Sequence, residues 1–262
     1  MKKLTRKWFR QAIALMLIVC MVCSNGMLAL ADEAVASTMR LARTEGTVTV
    51  TNKNGRDMGT MADMKLFSGY QMATAQSSYA WITLDDSKLI KLDAVSEAEI
   101  QKKGKDLEVL LNSGNLFFNV TESLKSDETL NIRTSTMVTG IRGTSGWVKV
   151  IDSWRTRVYI LEGQVECWVM DPVSGQYKGV TLRGGQYAEF VVYDQTREGD
   201  KCDIITNTYT ENDIDGFVAV ELMNDPELRE KIKGATGFNV DRIAGNAPNK
   251  LNQDQQDVNQ KV

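Results

Sequence analysis

Residues 137–150, MVTGIRGTSGWVKV, carry Gly140, Gly143 and Gly146 at a regular spacing. Glycines spaced this way suit a backbone that wraps a phosphate, provided a helix N-terminus and a lysine follow them. Neither follows: Trp147-Val148-Lys149-Val150 alternates like a strand, and no lysine directly succeeds a glycine in the stretch. Nucleotide binding is therefore not expected, and the glycines are read as shaping a bend between two strands. The chain has no histidine, which removes Ser-His, Cys-His and zinc-histidine machinery and leaves carboxylate pairs or a Ser-Lys dyad. Carboxylate pairs could be drawn from the 34 acidic residues, but sequence brings no two of them to working distance. Cys167 and Cys202 could close one disulfide in an oxidising compartment or stand as buried thiols; two thiolates without histidine cannot complete a zinc site. Asp85-Asp86-Ser87 reads as a hairpin turn, with too few oxygens for calcium. No enzyme activity, cofactor or metal is expected.

The elements that would position these residues begin after an N-terminal segment of a different kind. Residues 1–31 open with five basic residues and no acidic one, continue through an apolar run from about Ala12 to Cys23, and end in Ala29-Leu30-Ala31. This is the layout of a signal peptide cleaved after about Ala31, which implies a secreted or extracytoplasmic protein of the cell envelope; a membrane association would require that segment to be retained as an anchor. Cleavage would leave 26 basic residues against 34 acidic ones. Such an acidic chain is a poor ligand for nucleic acid, whose binding depends on Lys and Arg displacing counterions.

From about residue 39 to 194 the pattern has period two, as in GTVTVTN (46–52), AWITLDDSKLIKL (80–92) and WVKVID (147–152). One unit recurs. In LEVLLNSGNLFFNV the apolar residues Val109, Leu111, Leu116, Phe118 and Val120 flank Gly114; in RVYILEGQVECWV Val158, Ile160, Val165, Cys167 and Val169 flank Gly163 at the same offsets. Weaker or partial copies surround Gly46, Gly69 and Gly185. A glycine fixed at that offset is read as a corner with φ > 0, and its recurrence near multiples of about 23 residues suggests a repeat. The fold expected is all-β, an irregular β-solenoid-like coil of short strands, with a β-sandwich or jelly roll as the alternative. Residues 195–212 read as a polar linker. Residues 213–234 read as two short helices, with Asp225-Pro226 as N-cap and first helical position and Gly234 as the end. Residues 235–262 are expected to be a disordered tail.

Read together, VTGIRGTSGWVKV and VYILEGQVEC resemble the signature of the FecR family, and EGTVTV, LFSGYQMATAQSSYAWITLDDSKLIKLD and LEVLLNSGNLFFNV fit it in order, over roughly residues 40 to 192. The resemblance implies an extracytoplasmic β domain without catalysis. Family members of the iron-uptake type pass a signal to a sigma factor through a cytoplasmic segment ahead of a membrane span. Only about eleven residues precede the apolar run here, so what carries over is the outer domain's binding or sensing role. On this resemblance Arg142, Gly143, Thr144, Glu162 and Gly163 are structural motif residues, Arg142 bonding carbonyls at the bend, with a ligand contact as the alternative role for Arg142. Strand alternation turns Tyr79, Trp81, Trp147 and Trp168 away from the core. They are either a surface for a protein partner or cell-envelope glycan, or are covered by the C-terminal helical segment. The function expected is binding or sensing in extracytoplasmic signalling or surface assembly, with a structural scaffold or self-associating envelope protein as the alternative.

Overall fold

The computed structural model describes residues 39–259; the expected signal peptide and its cleavage point lie outside them. Seventeen strands form two sheets. The first runs in the order β17 (Cys202–Thr208), β16 (Gln186–Val192), β13 (Arg155–Glu162), β12 (Ser145–Asp152), β9 (Asn115–Val120), β6 (Lys88–Leu92), β5 (Tyr79–Asp85), β1 (Arg40–Glu45) and β3 (Met64–Lys65). The second runs β15 (Tyr177–Arg183), β14 (Gln164–Met170), β11 (Val138–Ile141), β10 (Thr129–Arg133), β8 (Asp106–Ser113), β7 (Glu97–Lys103), β4 (Tyr70–Thr74) and β2 (Val48–Thr51). Their inner faces share one core, in which Ile82, Ile90, Phe118, Val148 and Ile160 of the first sheet join Val50, Ile100, Val109, Ile132 and Val165 of the second.

The recurring glycines sit where the chain crosses between sheets. Gly46, Gly114 and Gly163 link β1 to β2, β8 to β9 and β13 to β14, with φ of 72°, 79° and 80°. At Gly114 a Cβ would stand 2.2 Å from Ser96 Oγ and 2.6 Å from Ser96 Cα, so both torsion and space demand glycine. The Ser96 hydroxyl occupies that space and accepts from Asn115 N at 2.9 Å. The chain advances from one end of the two sheets to the other through these corners. Among the described residues all strand pairings are antiparallel except that of β8 with β10, whereas the coils of a solenoid stack their strands in parallel. The pairing thus gives no support to the solenoid-like reading, and two sheets over a shared core match the sandwich alternative.

The sheets differ on their outer faces. Strand β8 alternates buried and accessible residues through Leu107, Val109 and Leu111, as expected of a sheet with one solvated face. In β9 all of Leu116–Val120 are buried, because the first sheet is covered on both sides. The cover is helical: α1 (Gly216–Asn224), α2 (Pro226–Thr236), α3 (Val240–Gly245) and α4 (Ala247–Asn259). Asp225 caps α2 through its Oδ1, which accepts from Leu228 N at 2.9 Å, with Pro226 at the first helical position. The helix stops at Gly237, in the left-handed region at φ 74°, and not at Gly234.

Two stretches depart from the sequence reading. The polar segment 195–212 supplies strand β17, whose ladder with β16 runs from Gln186↔Thr208 to Val192↔Cys202. The stretch expected to be a disordered tail contains α3 and α4, and Val240, Ile243, Ala244 and Ala247 are buried under the first sheet's outer face. These few apolar residues are enough because α3 and α4 pack mainly on α1, which joins them to the aromatic cluster of the first sheet. The cysteines are also settled: Cys167 and Cys202 are buried free thiols rather than a disulfide. Cys167 Sγ donates to Thr139 Oγ1 at 3.1 Å, and burial pushes the thiol up to about 12.

Candidate functional site

The aromatic residues turned away from the core fall on two different surfaces. Tyr79, Trp81 and Trp147 lie on the outer face of the first sheet with Phe117 and Tyr159, and all are buried against Ile214, Phe217, Leu222, Leu228 and Ile232. Trp147 stacks on Tyr159 with centroids 4.4 Å apart and planes 4° from parallel. On the opposite face Gly146 leaves room for the inner core and the neighbouring strand, since a Cβ there would stand 2.3 Å from Tyr159 O and 2.8 Å from Phe118 Cζ.

Ring N–H groups and lysines of the strands meet carboxylates of the helices. Trp81 Nε1 donates to Glu221 Oε1 at 3.0 Å, and Trp147 Nε1 donates to Asp215 Oδ2 at 3.0 Å. Lys91 Nζ donates to Glu221 Oε1 at 2.8 Å and to Phe217 O at 2.7 Å; Lys149 Nζ lies 2.8 Å from Asp215 Oδ2. Tyr79 OH accepts from Gln255 Nε2 at 2.8 Å. Burial lowers Lys91 against the pull of Glu221; at Lys149 burial acts the same way but Asp215 outweighs it and the amine is raised. Desolvation pushes Asp93 up to about 6, with Asp215 adding to the rise and Asn115 and Lys91 opposing it. These are paired, buried groups that seat the helices. Three of the four aromatics expected as a partner surface are therefore an internal interface.

Trp168 is different. It lies on the outer face of the second sheet, in β14, opposite Val138 of β11 and Gly179 of β15. Its indole lies across both neighbouring strands. A Cβ on Gly179 would stand 2.8 Å from Cδ1 and 3.0 Å from Nε1, and one on Gly140 would stand 3.5 Å from Cζ3. Glycines in the middle of strands are costly, and here they leave the space in which the ring lies flat. The ring is half-buried and its N–H has no acceptor among the described residues, unlike those of Trp81 and Trp147.

Trp168 forms one wall of an open groove of ≈ 450 Å³ together with Asn131, Gly140, Arg142, Gln164 and Glu166. The register sets this row: Gly140 pairs with both Asn131 and Glu166. Elsewhere on the same face, polar side chains are paired. Arg133 Nε bonds Glu108 Oε1 at 2.8 Å, Gln71 Nε2 bonds Glu99 Oε2 at 3.1 Å, and Thr129 Oγ1 bonds Asp106 Oδ1 at 2.7 Å. The side chains of Asn131, Arg142, Gln164 and Glu166 have no such partner among the described residues.

The motif residues divide accordingly. Gly143 (φ 95°) turns the chain beside Ser123, and Gly163 (φ 80°) packs on it, since a Cβ at Gly163 would stand 2.9 Å from Gly143 O. Thr144 is fully buried and its Oγ1 donates to Gln164 O at 3.0 Å. Glu162 accepts from Ser145 Oγ at 3.2 Å, and burial raises its carboxyl. These four form the joint between two corners. Arg142 does not bond carbonyls there, as the sequence reading had it; it is exposed at the end of the groove, because Gly143 reverses the chain immediately after it. Asp85 builds the expected turn, accepting from Ser87 N at 2.9 Å and pairing with Lys88. Sequence reasoning missed Asn131, Gln164, Glu166 and the helix-seating pairs, which become neighbours only through strand register and the α1 docking. Among the described residues there is no cluster of three or more metal-ligating side chains, and no helix is long and apolar enough to cross a membrane.

Comparison with known proteins agrees with the motif reading over part of the chain. Residues 70–166 match the family model described as FecR protein. No curated protein matches the chain. Two crystal structures described as a candidate anti-sigma factor from Parabacteroides distasonis ATCC 8503 are similar at 17% identity and a TM-score of 0.44. One covers 58% of this chain and the other 57%, in each case over 64% of that structure's own chain. The range that is similar to the FecR family runs from the start of β4 into β14 and contains both the two-corner joint and most of the groove.

Proposed function

We propose that the chain is a non-catalytic binding or sensing module that acts outside the cytoplasm, in extracytoplasmic signalling or surface assembly. Its partner, a protein or a cell-envelope glycan, engages the outer face of the second sheet. The observation that carries this reading is the asymmetry of the two outer faces. The first is sealed by the chain's own helices, with its tryptophan N–H groups and lysines already paired. The second is open and, among the described residues, gathers unpaired polar side chains around a partly exposed indole. The match of residues 70–166 to the FecR family supports a regulatory role over an enzymatic one, and the basic-then-apolar pattern of residues 1–31 supports export.

A photo-crosslinking amino acid placed in living cells tests the reading. Substituted at Gln101, exposed on the second sheet, it is expected to form a discrete adduct with an envelope component; substituted at Met223, 42% exposed on α1, it is not. Adducts from Met223 alone would overturn the assignment of the face. Adducts consisting only of this chain, from either position, would favour the scaffold alternative.

A further inference from the structure

The groove itself carries information about what it binds, and the following rests on the reading that the second sheet's outer face is the working surface. We infer that the groove at Trp168 is a saccharide-binding site for a neutral sugar chain, with one ring lying on the indole and its hydroxyls taken by Asn131, Gln164, Glu166 and Arg142.

Four features narrow the ligand class. The groove lies on a sheet face and not at an edge, so its floor offers no strand edge with a free row of N–H and C=O groups: β10, β11, β14 and β15 are laddered to one another through it. A peptide that adds as a strand needs such groups, whereas a polyhydroxylated ring needs side chains. The side chains present are planar groups, an amide on Asn131 and on Gln164, a carboxylate on Glu166 and a guanidinium on Arg142, which together donate to and accept from hydroxyls. Among the described residues they stand unpaired while their neighbours on the same face, Arg133 with Glu108 and Thr129 with Asp106, are paired. The indole lies flat because Gly140 and Gly179 leave it room, and a flat, half-exposed aromatic face suits the apolar C–H face of a sugar ring in the way ring faces accept other flat partners.

Charge fixes the remaining choice. Besides Glu166 the surrounding face presents Glu97, Glu99, Asp106, Glu108 and Glu128, against Lys103, Arg133, Arg142 and Arg183, the last paired across the strands with Gln164. Acidic groups still outnumber basic ones on this face, which disfavours a polyanion over most of it. The groove volume, ≈ 450 Å³, falls in the range that accommodates small ligands.

The test uses the full chain on a glycan array of neutral and acidic saccharides, followed by titration of the best array ligand monitored by tryptophan fluorescence. At least one neutral oligosaccharide is expected to bind. Trp168→Ala is expected to weaken it by about tenfold or more, the equivalent of one lost stacking contact, with Trp168→Tyr recovering part of the loss. Asn131→Ala, on an accessible side chain without partners, should weaken binding while leaving the circular dichroism spectrum unchanged. Trp154→Ala, on the exposed β12–β13 turn, should have no effect. Absence of binding across the array, binding of acidic sugars only, or full retention of binding in both Trp168→Ala and Asn131→Ala would overturn the inference. If the array is empty while Gln101 still crosslinks a protein in cells, the saccharide fails and the broader assignment of the face stands; if neither gives a signal, both fail.

Discussion

Replacing Asp93 by asparagine should make the protein more stable at neutral pH. Asp93 lies at the end of β6, where Asn115 Nδ2 donates to its Oδ2 at 2.8 Å. Burial pushes its carboxyl up to about 6, Asp215 contributes to the rise, and Asn115, the backbone N–H of Ala94 and Lys91 oppose it. In the unfolded chain the same group titrates near about 3.9. Between those two values the folded state holds a proton that the unfolded state has released, so stability falls as pH rises through the window from about 4 to about 6 and is level above it. A difference of about 2 between the two pKa values corresponds to about 3 kcal/mol, a ceiling because the residue keeps a partly accessible edge. Asparagine carries no charge at any pH, and its amide oxygen can still accept from Asn115. Urea unfolding of both proteins at steps from pH 4 to pH 8 isolates the effect, because every other titration cancels in the difference. The two should be equally stable near pH 4, with Asp93→Asn gaining progressively up to pH 6. A difference that stays constant across the series, or the wild type gaining as pH rises, would refute the reasoning.

Three further outcomes follow from the packing. Truncation before Glu211 should uncover Tyr79, Trp81, Phe117, Trp147 and Tyr159, read as strong binding of a hydrophobic dye and a red shift of tryptophan emission; a truncated chain that stays soluble and dye-free would show that the helices are not the cover. Gly114→Ala should cost at least about 2 kcal/mol in urea unfolding, from backbone strain at φ 79° together with the clash at Ser96. Gly104→Ala, at φ 61° with open space around it, should cost about half as much. Cys167 and Cys202, as buried thiols, should be alkylated only after unfolding, and a reductant should leave the melting temperature unchanged; a mass two hydrogens short in the intact protein would contradict this.

The β architecture was legible because its signal is local. Period-two alternation and glycines at fixed offsets around Gly114 and Gly163 report strands and corners directly, and the strict alternation of β8 remained visible in the structure. Parallel against antiparallel pairing is not local: nothing in the sequence of β8 tells that it pairs with β7 on one side and β10 on the other. The site was half legible for the same reason. The alternation of YAWITL turned Trp81 outward correctly, but whether an outward tryptophan meets water or a helix depends on a segment more than a hundred residues later, the Glu221 that its N–H reaches. Trp168 could not be distinguished from Trp147 until register placed Gly140 and Gly179 on either side of it. The helices of residues 240–259 were missed because so polar a stretch owes its helicity to docking on α1 and the aromatic cluster, a tertiary effect that propensity does not record.

Hydroxyl-radical footprinting of the tryptophans, in the isolated protein and again in cells that contain its partner, tests the central claim most directly. The account predicts that Trp81 and Trp147, at 5% and 0% exposure, resist oxidation in both conditions, that Trp154, at 53%, is oxidised in both, and that Trp168 is oxidised in isolation and protected in cells. Oxidation of Trp168 that is unchanged in cells, or reactive Trp81 and Trp147 in the folded protein, would contradict a covered first sheet and a working second one.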